Sequence, residues 1–194
     1  MNEYVVRPVR GDEWRKVKEL RLAALRDPAA PLAFLETVAQ AEAWSDEHWQ
    51  GRAEGAGEGR GVRQFVAEAA GGAWLGSVTV LVEAAGTRDL FDRLIERDQG
   101  HLVGVFVRPE GRGTGLTEAL FEAALEWAWA LEEPVLYRVR LFVHEENARA
   151  AAFYRRFGFG ATGIALPMPT DPSALEREYV FRRPGRRDTP SNTA

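Results

Sequence analysis

The 194-residue chain has no cysteine. That excludes a disulfide scaffold, a cysteine-ligated zinc site and a covalent cysteine intermediate. Histidine is scarce, and His48, His101 and His144 are too scattered to suggest a metal centre, so no metal is expected. Lysine occurs only at Lys16 and Lys18, and the formal net charge is −4. Without a global basic field there is no footprint for nucleic acid, although a basic peptide remains a compatible partner. No apolar run approaches membrane-spanning length, and the N-terminus lacks the apolar core of a signal peptide. The expectation is a soluble, cytoplasmic protein with neither nucleic acid nor membrane as partner.

What is present begins with a core. Hydrophobic residues make up 45% of the chain, enough for one modest domain. The richest segment is LVGVFVRPEGRGTGLTEAL, residues 102–120. Residues 102–107, mostly β-branched or aromatic, predict a buried strand that Pro109 ends. Gly111, Gly113 and Gly115 bracket Arg112 in a turn, and from Leu116 the apolar spacing becomes helical. Leu116, Ala119, Leu120, Ala123, Ala124, Trp127, Ala128 and Leu131 share one face, while Glu118, Glu122 and Glu126 form the solvated one. The first turn of such a helix offers unpaired N–H groups and the positive end of its dipole. Glycines let a phosphate approach those donors, so the turn predicts a pyrophosphate cradle. A Walker loop is excluded because the region has no lysine. A dinucleotide fingerprint is disfavoured because Glu118 stands where close packing is required.

A second motif follows the next apolar stretch, residues 136–143. It is NARAAAFYRRFGFGATG, residues 147–163, with Asn147 a fitting helix N-cap and Gly158 a fitting C-terminal cap. The two motifs together resemble the GNAT superfamily of acyl-CoA-dependent N-acyltransferases. The first matches V-x-P-x-x-R-G-x-G-x-G/A through Val107, Pro109, Arg112, Gly113 and Gly115, with Thr117 departing at the last position. The second matches N-x-x-A-x-x-F/L-Y-x-x-x-G-F through Asn147, Ala150, Phe153, Tyr154, Gly158 and Phe159.

The resemblance implies an α/β fold with a central mixed sheet, helices on its flanks, and two parallel strands splayed around acetyl-CoA. It implies that Val105, Phe106 and Val107 hold the pantetheine and acetyl carbonyl through their backbone. The turn residues Arg112, Gly113, Thr114, Gly115, Leu116 and Thr117 would hold the pyrophosphate, joined by Asn147, Phe153 and Arg156. Tyr154 would protonate the leaving thiolate. The general base stays open among His101, at the start of the strand, Glu83 and Glu145. The implied activity is direct acetyl transfer to a primary amine of a small molecule or peptide. The alternatives are another acyl-CoA donor or a non-catalytic acyl-CoA-binding module. Trp14, Trp44, Trp49 and Trp74, with the acidic balance, favour a small cationic amine.

The remaining chain reads as an opening strand at 4–8, an amphipathic helix at 11–26, and a second helical stretch in which Ser45 is a candidate cap. Residues 51–61, with five glycines, read as a mobile connector. Residues 64–70 and 73–83 read as a β-hairpin. In residues 84–100, Leu90, Phe91, Leu94 and Ile95 make a short helical stripe, read as a lid, a dimer contact or packing on the sheet edge. A homodimer is compatible with this pattern. A last strand at 175–181 closes a single domain over 1–181, and residues 182–194 read as a disordered tail.

Overall fold

A computed structural model describes residues 4–185. The strands are β1 (Tyr4–Pro8), β2 (Val62–Ala69), β3 (Trp74–Glu83), β4 (Gln99–Val107), β5 (Arg138–His144), β6 (Gly160–Met168) and β7 (Asp171–Arg182). They form one seven-stranded sheet in the order β1-β2-β3-β4-β5-β7-β6. Neighbours are antiparallel throughout except β4 and β5, which run parallel. The mixed sheet with helices on its flanks is the architecture expected from the sequence.

Strand alternation decides which residues face which layer. Phe65, Ala67 and Val107 pack beneath α4 (Leu116–Ala130) and α5 (Ala148–Phe157). Val66 and Phe106 point the other way, into a second core with α1 (Trp14–Leu25), α2 (Val38–Ala43) and α3 (Asp46–Glu58). The local signals at α5 act as read: Asn147 Oδ1 accepts the Ala150 N–H at 3.2 Å, and Gly158 ends the helix at φ +118°. A cap of this kind stabilises by about 1 kcal/mol.

Two segments differ from expectation. Residues 51–58 are helix, not connector, because α3 buries Trp49, Ala53 and Ala56 along one side. Its glycines cost helix propensity, yet they permit an approach that larger residues would forbid. A Cβ on Gly57 would lie 2.8 Å from the Gly11 backbone nitrogen. Ser45 caps this helix, accepting the His48 N–H, and Gly59 closes it at φ +67°.

Residues 84–98 contain no helix. Asp89 Oδ1 instead accepts the N–H groups of Phe91 and Arg93, each at 2.9 Å, and its other oxygen meets Arg140 Nη2 at 3.0 Å. That side-chain competition for backbone donors folds a tight loop where apolar spacing alone suggested a helix. β7 also starts earlier and ends later than read, at Asp171–Arg182, as the hairpin partner of β6. The tail expected at 182–194 falls outside the described residues from 186 onward.

Candidate active site

The site is built where β4 and β5 part. Their ladder consists of Gly100↔Val139 and His101↔Arg140 and then stops. On its other side β4 carries a bulge: Ser77 stands opposite Phe106 and Thr79 opposite Val103, leaving Gly104 and Val105 across from Val78 alone. Gly104 lies at φ +62°, a left-handed angle that favours glycine. Val105 therefore has no register partner on either edge, the β4–β5 ladder having already stopped.

Two cavities open along this gap and share Ala33, Phe34, Val105, Asn147 and Tyr154. The larger, about 650 Å³, is lined by Val105–Val107, the glycine-rich turn and one side of α5. Gly113 and Gly115 sit at φ +77° and +83° with open space where a Cβ would stand. A concave turn of small residues ahead of α4 fits a pyrophosphate, and Arg149 and Arg156 on the same cavity supply positive charge. Thr117, Asn147 and Phe153 line it as well.

Arg112 also lines this cavity, but its guanidinium is engaged with protein. Nε donates to the Val107 carbonyl at 3.0 Å and Nη2 to the Asp27 carboxylate. Burial pushes Asp27 up, yet hydrogen bonds from the Ala29 N–H and Arg112 hold it below the usual carboxylate range. Arg112 thus ties the turn to the segment after α1. Thr114 and Leu116 do not line the cavity. Thr114 donates to the Gly111 carbonyl at 2.8 Å, and Leu116 is buried in the core. Asn147 uses Nδ2 to bind the Leu32 carbonyl at 3.3 Å, joining α5 to the same segment.

Tyr154 stands at the junction of the cavities, stacked on Phe121 with ring centroids 5.8 Å apart. Burial pushes its phenol above the ordinary tyrosine value, so the hydroxyl keeps its proton at neutral pH.

The smaller cavity, about 240 Å³, lies between residues 101–105 and 141–144. His101, read as the start of the strand, is the third residue of β4 and only 3% exposed. Its Nδ1 lies 2.9 Å from Glu83 Oε1, and Arg140 holds both Glu83 oxygens at 2.8 Å. Burial acts to raise Glu83, but the bonds from His101 and Arg140 hold it at about 2. Facing the ionised Glu83, Nδ1 carries a proton, so in the neutral imidazole Nε2 is the proton acceptor. Glu145 is exposed and accepts the Leu175 N–H at 3.1 Å; it lines neither cavity.

Sequence reasoning missed four residues here. Arg149 lines the large cavity, and Arg21, Arg52 and Glu176 line the small one. Glu176 is the ladder partner of His144, and burial raises its pKa against the pull of that histidine. Nothing local marks it, because β7 reaches β5 only through sheet pairing. Trp49 and Trp74, read as a cue for cationic ligands, are buried in the core under α1 and α3. Among the described residues no group of histidine, aspartate or glutamate side chains could hold a metal ion. No helix among them is long and apolar enough to cross a membrane.

The family comparison agrees with this geometry. The model of the acetyltransferase (GNAT) family matches residues 20–159. The chain belongs to the GNAT acetyltransferase family. Among solved structures, a GNAT acetyltransferase from Streptococcus pneumoniae aligns with a TM-score of 0.71 at 18% identity, covering 93% of this chain and 99% of that one. The ribosomal-protein-S5-alanine acetyltransferase of Vibrio fischeri gives 0.70 at 17% identity, with 97% of each chain covered. Arabidopsis thaliana NAA60, in complex with a bisubstrate analogue, gives 0.66 at 16% identity, covering 94% and 99%. At these identities the likeness speaks for the fold. No curated protein matches the chain by sequence.

Proposed function

We propose that the protein transfers an acetyl group from acetyl-CoA directly to the amine of a small molecule or peptide. The observation that carries this reading is the junction of two cavities at Val105 and Tyr154, where β4 and β5 separate. One cavity has the cradle and arginines that suit a nucleotide thioester; the other admits a second reactant.

Acetyl-CoA supplies the chemistry of an activated acetyl thioester. The turn at 111–117, with Gly113, Gly115 and Thr117, would hold its pyrophosphate, helped by Arg149 and Arg156. Asn147 and Phe153 would flank the pantetheine arm, and the edge of β4 that β5 leaves uncovered beyond His101 would satisfy its amides. The Val105 N–H, at the bulge, would donate to the carbonyl oxygen as negative charge develops there. His101 Nε2, with Glu83 holding Nδ1–H, takes a proton from the attacking nitrogen directly or through water. Tyr154, protonated by virtue of its burial, returns a proton to the departing sulfur. A direct transfer needs no enzyme nucleophile, in keeping with the absence of cysteine.

Calorimetric titration with acetyl-CoA, followed by thiol release against an amine panel, tests the reading. Tyr154→Phe is expected to lower turnover about ten- to a thousandfold, the range for lost acid catalysis, with acetyl-CoA affinity unchanged. Unaltered turnover removes Tyr154 from the mechanism. A protein that does not bind acetyl-CoA overturns the whole reading.

A further inference from the structure

The smaller cavity carries positive charge that the chemistry above does not use. Arg21 of α1 and Arg52 of α3 line it with one carboxylate between them, Glu36. Arg21 donates to Glu36 through Nη2, while Arg52 Nη1 stands 3.9 Å from Glu36 Oε1, beyond hydrogen-bond distance. The Arg21 side chain is 12% exposed, and its Nε has no hydrogen-bond partner among the described residues. Arg52, with 36% of its side chain exposed, makes no hydrogen bond among them. Each guanidinium is permanently charged and has five N–H donors. Two beside a single carboxylate leave one net positive charge and several open donors, an arrangement short of an anion.

The location ties this charge to the reacting centre. Arg21, Arg52 and Gly104 meet again at a small adjoining recess, so the pair sits beside the bulge that leads to Val105. Burial, and then the neighbouring Arg21 charge, pull Arg52 below the usual arginine value against the attraction of Glu36. The other titratable groups facing the cavity are Glu176, with its ladder partner His144, and His101 backed by Glu83.

We propose, on the footing of the acetyl-transfer reading, that the acceptor is an amino carboxylate. Its carboxylate is held by Arg21 and Arg52, and its amine is directed toward His101 and Glu176. A polyamine would bring further positive charge to two arginines that share a single carboxylate, Glu36. The cationic amine favoured by the tryptophan content is thereby replaced by a ligand of the opposite terminal charge.

The protein saturated with CoA is titrated with the proteinogenic amino acids, β-alanine and 4-aminobutyrate, each against its own carboxamide, with spermidine as the cationic reference. At least one acid is expected to bind about 10- to 100-fold more tightly than its amide, the range for a charge-assisted hydrogen-bonded anchor. Arg52→Gln is expected to shrink that preference to within about twofold, with CoA affinity unaltered, and Arg52→Lys to retain part of it. Equal binding of acid and amide, preference for spermidine, or no binding of any acid overturns the proposal. Failure to bind CoA would bring down the acetyl-transfer reading and this proposal together. CoA binding with thiol release only on uncharged or cationic amines leaves that reading standing and removes the carboxylate anchor alone.

Discussion

Replacing Gly104 by asparagine, alanine and valine separates a conformational requirement from a steric one. The glycine lies at φ +62°, and the nearest atom to an added Cβ is Thr79 Oγ1 at 3.8 Å, an ordinary contact. The cost of a side chain is therefore set by the backbone angle. An L residue pays about 1–2 kcal/mol in the left-handed region, asparagine least and a β-branched residue most. For a domain of this size each kcal/mol lowers Tm by about 2–4 °C, so Gly104→Ala is expected to lose about 2–8 °C. If the bulge flattens instead, Val105 to Val107 slip by one residue and exchange faces of the sheet. Flattening displaces the Val105 N–H, and loss of such a donor lowers kcat by about 10²–10³. Thermal melts and steady-state thiol release on the three variants, with acetyl-CoA affinity as a reference, test the argument. Tm and kcat should fall in the order asparagine, alanine, valine. An alanine variant milder than asparagine, or one with wild-type Tm and kcat, refutes it.

Gly57→Ala is expected to destabilise by about 1–3 kcal/mol, the range for overpacking, although alanine ordinarily favours a helix by about 1 kcal/mol. The added Cβ would sit 2.8 Å from the Gly11 nitrogen, whereas at Gly51 of the same helix nothing lies within 4 Å. Urea midpoints of Gly57→Ala and Gly51→Ala should move in opposite directions; parallel shifts would remove the α3 contact from the argument. Glu83 makes stability depend on acid, since its folded value of about 2 lies below the ordinary 4.5. A depressed carboxylate contributes stability in full above the unfolded value and loses it as pH falls from about 4.5 through about 2. The difference amounts to about 3 kcal/mol. Urea unfolding of wild type and Glu83→Gln should show a gap at pH 7 that closes toward pH 2.5, and a pH-independent gap would contradict this.

The turn at 111–117, the apolar stripe of α4, the caps at Asn147 and Gly158 and the β2–β3 hairpin were legible because each is local. Helical spacing, a capping oxygen three residues from its N–H, and glycine at a left-handed angle all act within a few residues. The same short-range reading failed where distant groups outweighed it. Asp89 traded a helical stripe for a loop anchored on Arg140, and α3 drew its glycines into a helix by burying Trp49 against the sheet. The bulge at Gly104 left only a lone glycine in an apolar run, which many strands would tolerate without one. The family, the glycine-rich turn and the order of the elements could be read from the sequence alone, since those rest on local motifs and their succession. The charges of the smaller cavity were not legible in this way. Arg21, Arg52, His101 and Glu176 come from a helix, a second helix and two strands, and charges that far apart in the chain acquire a common field only when packing brings them to one cavity.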